Sequence, residues 1–173
     1  MPKKRSKHSN NKPTKRPAAS RGFDCFLFYL IQFTWGLSVN LIGFLVWLVC
    51  KLRGRRTEKY CNCFITYVKK KHFGGLSLGL FVFMSDDKDE QWVYNTRIHE
   101  YGHTIQCLLL GPLYWIVVAI PSAIWCNFFE GYRKKNDVSY YALYCESWAN
   151  KWGESWSAQK RIGKKPLKAT KKV

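Results

Sequence analysis

Two long apolar stretches, residues 23–50 and 105–129, decide most of what this chain can become, because that much greasy side chain must leave water somewhere. The first carries Asp24 near its start and then only Gln32, Thr34, Ser38 and Asn40 as polar interruptions. The second has no acidic or basic residue between Leu108 and Phe129. A helix over residues 23–50 would exceed the roughly 30 Å of a bilayer's hydrocarbon, so it can cross once with tilt or break near Gly36-Leu37-Ser38 and return. The formal charge of +18 is concentrated in three blocks outside these stretches: Lys3 to Arg21, Lys51 to Lys71 and Arg133 to Lys172. Basic flanks around apolar segments suit a membrane protein that touches anionic headgroups, each Lys or Arg adding about 1 kcal/mol of attraction. A nucleic-acid partner is the rival for so basic a chain, but no nucleic-acid-binding motif accompanies the charge.

At 173 residues the chain supports one domain. The sequence predicts disordered basic tails over 1–22 and 157–173, with a single membrane-associated domain over 23–156. Seven cysteines, an odd number, do not make a disulfide framework, and most sit in or beside apolar runs, which fits a reducing compartment. Between the apolar stretches, Tyr60 to Val68 and Leu76 to Met84 are rich in β-branched and aromatic residues, and the glycine-bearing connection through Lys69 to Gly75 predicts a hairpin. Asp86 to Glu90 reads as a solvated loop. Asn95 or Thr96 is an N-cap candidate for a helix starting near Arg97, and Asn136-Asp137 for an amphipathic helix over Val138 to Gly153. The fold class expected is α+β, mainly helical, with a small β-hairpin and two apolar helical hairpins or transmembrane segments.

Inside the first of these helices lies His99-Glu100-Tyr101-Gly102-His103. Residues i and i+4 share a helix face, so His99 and His103 can offer two imidazole nitrogens to one cation, with Glu100 beside it as a general base. That is the H-E-x-x-H arrangement of zinc-dependent hydrolases. Catalytic zinc usually takes three protein ligands. The best third candidate is Glu146, on a predicted helix with no basic neighbour before Lys151 and with Asn150 one turn later on the same face.

With these residues the chain resembles the gluzincin, or thermolysin-like, branch of zinc metallopeptidases, in which a later helix supplies a Glu ligand and an Asp four residues on supports a ligating His. It is also similar to small, membrane-embedded bacterial proteins that carry His-Glu-Tyr-Gly-His-Thr before an apolar Gly-Pro helix. The resemblance covers the motif helix, the upstream hairpin and the Glu146 helix. It implies Zn2+ held by His99, His103 and Glu146, Glu100 as catalytic base, and Asn150 in the supporting position. Asn150 departs from the usual Asp: an amide accepts a His N–H but adds no charge.

Glu146 can reach His99 and His103 only if the apolar segment after the motif turns back, at Gly111-Pro112 or Pro121-Ser122. Paired or re-entrant apolar hairpins also put the basic blocks together on the cytoplasmic side, as the positive-inside rule prefers. The expected protein is thus a zinc hydrolase at the membrane, its catalytic part facing the cytoplasm, its partners lipid headgroups and a peptide or protein substrate. Leu76 to Met84 is a candidate edge strand for that peptide. His72, Tyr140, Tyr141 and Tyr144 are candidate oxyanion donors, and Gly102 allows a close helix approach. Two alternatives stand beside this reading: an intramembrane protease of the site-2 type, which needs a carboxylate ligand within a later membrane helix, and a non-catalytic membrane adaptor.

Overall fold

The computed structural model describes residues 22–69, 73–159 and 161; His72, the tail over 1–21 and most of the tail after 159 lie outside the described residues. The chain is a mixed α+β fold with one four-stranded sheet. Helices α1 (Gly22–Thr34) and α2 (Leu37–Leu52) come first, then strands β1 (Thr57–Tyr60), β2 (Cys63–Val68), β3 (Gly75–Leu78) and β4 (Phe81–Ser85). Helix α3 (Glu90–Leu110) carries the motif, and α4 (Ile120–Phe128), α5 (Glu130–Lys135) and α6 (Tyr144–Trp156) follow.

The first apolar stretch breaks at Trp35-Gly36, as the sequence suggested, but bends by 93° instead of folding back as a tight hairpin. Its polar residues turn inward. Asn40 Nδ2 donates to Gln32 Oε1, the Gln32 carbonyl and the Gly36 carbonyl, while Asn40 Oδ1 accepts from the Leu80 amide at 2.8 Å. Gln32 Nε2 in turn donates to the Thr104 carbonyl on α3. Because both side chains are fully buried and satisfied, this web fixes the bend against the sheet and α3. Among the described residues no single helix is long and apolar enough to cross a membrane.

The hairpin expected between Tyr60–Val68 and Leu76–Met84 does not form. Gly79, at φ +66°, divides the second run into β3 and β4, which pair with each other as the antiparallel hairpin. β2 then lies parallel to β4, Phe64 opposite Phe81, and the sheet order is β1-β2-β4-β3. β4 is buried along its whole length, which explains why Phe81 to Met84 is continuously apolar instead of alternating. α2 covers it through Phe44 and Trp47 against Phe81, with Gly43 set directly on Leu78.

Helix α3 starts seven residues before the expected Arg97. Asp89, read from sequence as part of a solvated loop, is its N-cap and accepts from the Trp92 amide at 2.8 Å. The helix ends at Gly111, whose φ of +52° turns the chain, so the reversal expected at Gly111-Pro112 is present. Pro121-Ser122 is not a break. A five-residue π turn, Trp115–Ala119, precedes Pro121, and α4 continues through it. Proline has no N–H for the carbonyl four residues back, Val117, and the Tyr144 hydroxyl donates to that oxygen instead. The amphipathic helix expected over Val138–Gly153 begins only at Tyr144, after a 3-10 turn (Tyr140–Ala142) whose N-cap is Ser139; Asp137, at φ +51°, precedes that turn. The packed chain also runs past residue 156: Ser157 is buried, Gln159 accepts from the Tyr60 hydroxyl, and Arg161 pairs with Glu154.

Candidate metal centre

Helices α3 and α6 touch backbone to backbone. A Cβ on Gly102 would stand 1.8 Å from the Ala149 carbonyl oxygen, and one on Gly153 1.9 Å from that of Ile98. Two glycines at these positions let α6 lie in the groove of α3, which sets Glu146 and Asn150 over His99 and His103. Glu146 Oε2 is 3.0 Å from His99 Nε2 and 3.5 Å from His103 Nε2. One ligand atom from each of these three buried residues lies within 4.8 Å of the other two, a group able to hold a metal ion.

The surrounding hydrogen bonds decide what these atoms offer. His99 Nδ1 meets Asn150 Oδ1 at 2.8 Å, and His103 Nδ1 meets Gln106 Oε1 at 2.6 Å. The Gln106 amide is oriented by its Nε2, which donates to the Cys145 carbonyl at 2.8 Å. An amide oxygen only accepts, so each imidazole carries a proton on Nδ1 and, when neutral, turns the Nε2 lone pair inward. Two lone pairs and a carboxylate oxygen therefore face one another, with Glu146 Oε2 buried and lacking a hydrogen-bond partner. Three acceptors in contact repel unless a cation lies among them, and two imidazoles with a carboxylate are the donor set of hydrolytic zinc sites. The residues present thus fit a metal ion.

A proton is the competing cation. Burial alone would lower the His103 pKa, but the Glu146 carboxylate, with help from Glu100, outweighs it and pushes the imidazole up to about 9. Burial would likewise raise Glu146, yet its contacts with His103 and His99 hold it well below the usual carboxylate range. Glu100, beside the cluster, is raised by burial, the two His partly opposing and Glu146 adding to the effect. Its Oε2 is also buried without a hydrogen-bond partner. The other oxygen presses against β3, where a Cβ on Gly75 would come within 2.0 Å of it.

Of the remaining sequence candidates, Asn150 meets His99 in the supporting position expected from sequence, with an amide in place of the usual Asp. Tyr140 and Tyr141 are at the site: the Tyr141 ring packs edge-on against His99, centroids 5.1 Å apart, and the Tyr140 hydroxyl lies 3.3 Å from Ser122 Oγ. Tyr144 is not, its hydroxyl being committed to Val117. Two residues escaped the sequence reading. Ser122 on α4 donates to Glu146 Oε1 at 2.5 Å, and nothing in the sequence announces it. Gln106 stands three residues after His103, a spacing that could have flagged it as a neighbour on the helix surface. A surface cavity of about 690 Å³ lined by Arg56, Tyr67, Glu90 and Arg97 lies elsewhere and contains none of the three ligand residues. Comparison with protein families, curated proteins and solved structures finds no match to this chain.

Proposed function

We propose that the chain is a membrane-associated, zinc-dependent hydrolase, and specifically a peptidase, with His99, His103 and Glu146 as ligands and Glu100 as general base. The observation that carries this reading is the convergence of three lone-pair atoms beside a second buried carboxylate with one oxygen unpartnered. Zinc suits the two-nitrogen, one-oxygen set, and when bound it supplies Lewis acidity that polarises a carbonyl and eases ionisation of water. The protein's own part is proton handling. Glu100, its carboxyl held above the usual carboxylate range by burial, is the group placed to accept a proton from water and return it to a leaving amine. Asn150 and Gln106 keep both imidazoles in the ligating tautomer.

Peptide as substrate is supported by β3, the edge strand next to Glu100. The Gly74 carbonyl accepts from the Ser85 amide, so by alternation the backbone groups of Gly75 and Ser77 point off the sheet. Ser77 O is taken by the Tyr114 hydroxyl, which leaves Gly75, against Glu100, to pair with an added strand. The site-2 alternative is disfavoured because Glu146, the third ligand, lies on α6 and not in an apolar helix.

The test is turnover of a fluorogenic peptide library by the full-length, zinc-loaded protein in detergent micelles. Glu100→Gln should lose about 10²–10⁴-fold in kcat/KM while keeping its zinc. Undiminished turnover in that variant would refute the assignment, and zinc binding without turnover of any peptide in wild type would favour the adaptor.

A further inference from the structure

The α1–α2 corner is built with its polarity reversed. In water a surface helix turns its polar side chains outward; here Gln32 and Asn40 are buried, while Leu30, Phe33, Trp35, Leu37, Leu41 and Leu45 are exposed. The turn itself is Trp35-Gly36-Leu37, where a solvated turn would carry Asn, Asp or Ser. A second corner, at the end of α3 and the start of the π turn, meets it. Trp35 Nε1 donates to the Leu109 carbonyl, Trp115 Nε1 donates to Ser38 Oγ, and the Trp35 ring lies on Gly111. Leu109, Leu113 and Ile116 are exposed there, so two segments distant in sequence present one continuous apolar prow. Charge is confined to the far ends of the same segments: Lys51 lies in the last turn of α2, Arg53 and Arg56 follow it, and Lys134 and Lys135 close α5.

We infer that this prow enters the hydrocarbon of an anionic lipid bilayer from one side and returns without crossing. The inference rests on the membrane association proposed above and gives it a geometry. α2 alone has 16 residues, roughly 24 Å of helix, which is less than the ~30 Å of a bilayer core, and the 93° bend prevents α1 from extending it. Basic residues at the exits match anionic headgroups, and Trp35 and Trp115 sit at the junction of the two corners. His103 is six residues before Leu109 on α3, so the metal centre lies no more than about 9 Å from the prow along that helix. The substrate class that follows is a peptide bond presented at the bilayer surface, such as the segment bordering a membrane anchor.

The experiment uses full-length protein exchanged from detergent onto sealed vesicles of phosphatidylcholine with phosphatidylglycerol. Wild type should co-float with the vesicles. Leu37→Glu/Ile116→Glu should weaken binding by roughly fifty-fold or more, since a charge in hydrocarbon is strongly disfavoured. Trp148→Glu/Trp156→Glu, the same two added charges at exposed positions of α6, should bind as wild type does. Circular dichroism matching wild type shows that the double variant is folded. If it is not folded, Trp35 in wild type decides: brominated acyl chains should quench its share of fluorescence, taken against Trp35→Phe. A membrane-impermeant amine reagent added outside should label Lys51 and Lys134 equally. Protection of one lysine would leave association standing and overturn one-sided entry. Full flotation of the folded double variant, unquenched Trp35, or an apolar face covered by a second copy of the chain in vesicle-free sedimentation would overturn the prow itself.

Discussion

Gly102→Ala adds one methyl group where α3 meets α6, and the structure sets what it must do. The new Cβ would lie 1.8 Å from the Ala149 carbonyl oxygen against about 3.4 Å for ordinary contact, so α6 has to retreat by about 1.6 Å. No rotamer change relieves this, because the opposing atom is backbone. Alanine gains about 1 kcal/mol of helix propensity over glycine, while overpacking costs about 1–3 kcal/mol, and a backbone obstacle belongs at the high end. The net loss of about 1–2 kcal/mol corresponds to roughly 2–8 °C in Tm for a chain of this size. Function suffers more than stability. Asn150, the residue after Ala149, holds His99, and Glu146 rides on the same helix, so zinc affinity should fall by about 10–100-fold, as when a ligand's supporting hydrogen bond is lost. Competition with a chromophoric chelator measures the affinity and thermal unfolding the stability. Wild-type values for both in Gly102→Ala would refute the helix contact as the element that builds the site.

Gln106→Leu should also weaken zinc binding by about 10–100-fold, because it frees the His103 tautomer, and should cost about 1–3 kcal/mol, because the buried Cys145 carbonyl loses its side-chain donor; chelator competition reads the first and thermal unfolding the second. Asn40→Leu should cost about 1–3 kcal/mol or more, since it orphans the Leu80 amide inside the α1–α2 corner, and denaturant titration in detergent checks this. In chelator-treated protein the His103 pKa, raised to about 9 from 6.5, contributes stability that is full below about pH 6.5 and lost as pH rises through 9. Tm of the metal-free protein should therefore decline over that window, whereas zinc-loaded protein, with His103 already deprotonated, should not follow it.

The residues of the candidate metal centre were legible in two ways, the motif by helix geometry and Glu146 by its place on a later helix and the family resemblance. His99, Glu100 and His103 needed only the i,i+4 rule, and Glu146 with Asn150 repeats that spacing on a second helix. The partners that arrive from elsewhere in the chain were not legible. Gln32 finds Thr104 across 72 positions, and Ser122 reaches Glu146 from an apolar helix that local pattern describes only as greasy. The sheet misled for a physical reason: Leu76 to Met84 has strand composition throughout, and a single left-handed glycine, Gly79, converts it to two strands and makes β2–β4 parallel. The early start of α3 turned on Asp89, where an acidic run looked like a loop until its first turn was capped.

The central claim is that three converging acceptors hold a zinc ion. Metal content per chain, measured on protein purified without chelator and joined to zinc-edge X-ray absorption, tests it most directly. The expected result is one zinc with two imidazole nitrogens and a carboxylate oxygen, lost in His99→Ala and Glu146→Ala and retained in Glu100→Ala. A wild-type chain that stays free of zinc when the ion is supplied, or full zinc affinity in Glu146→Ala, would contradict it.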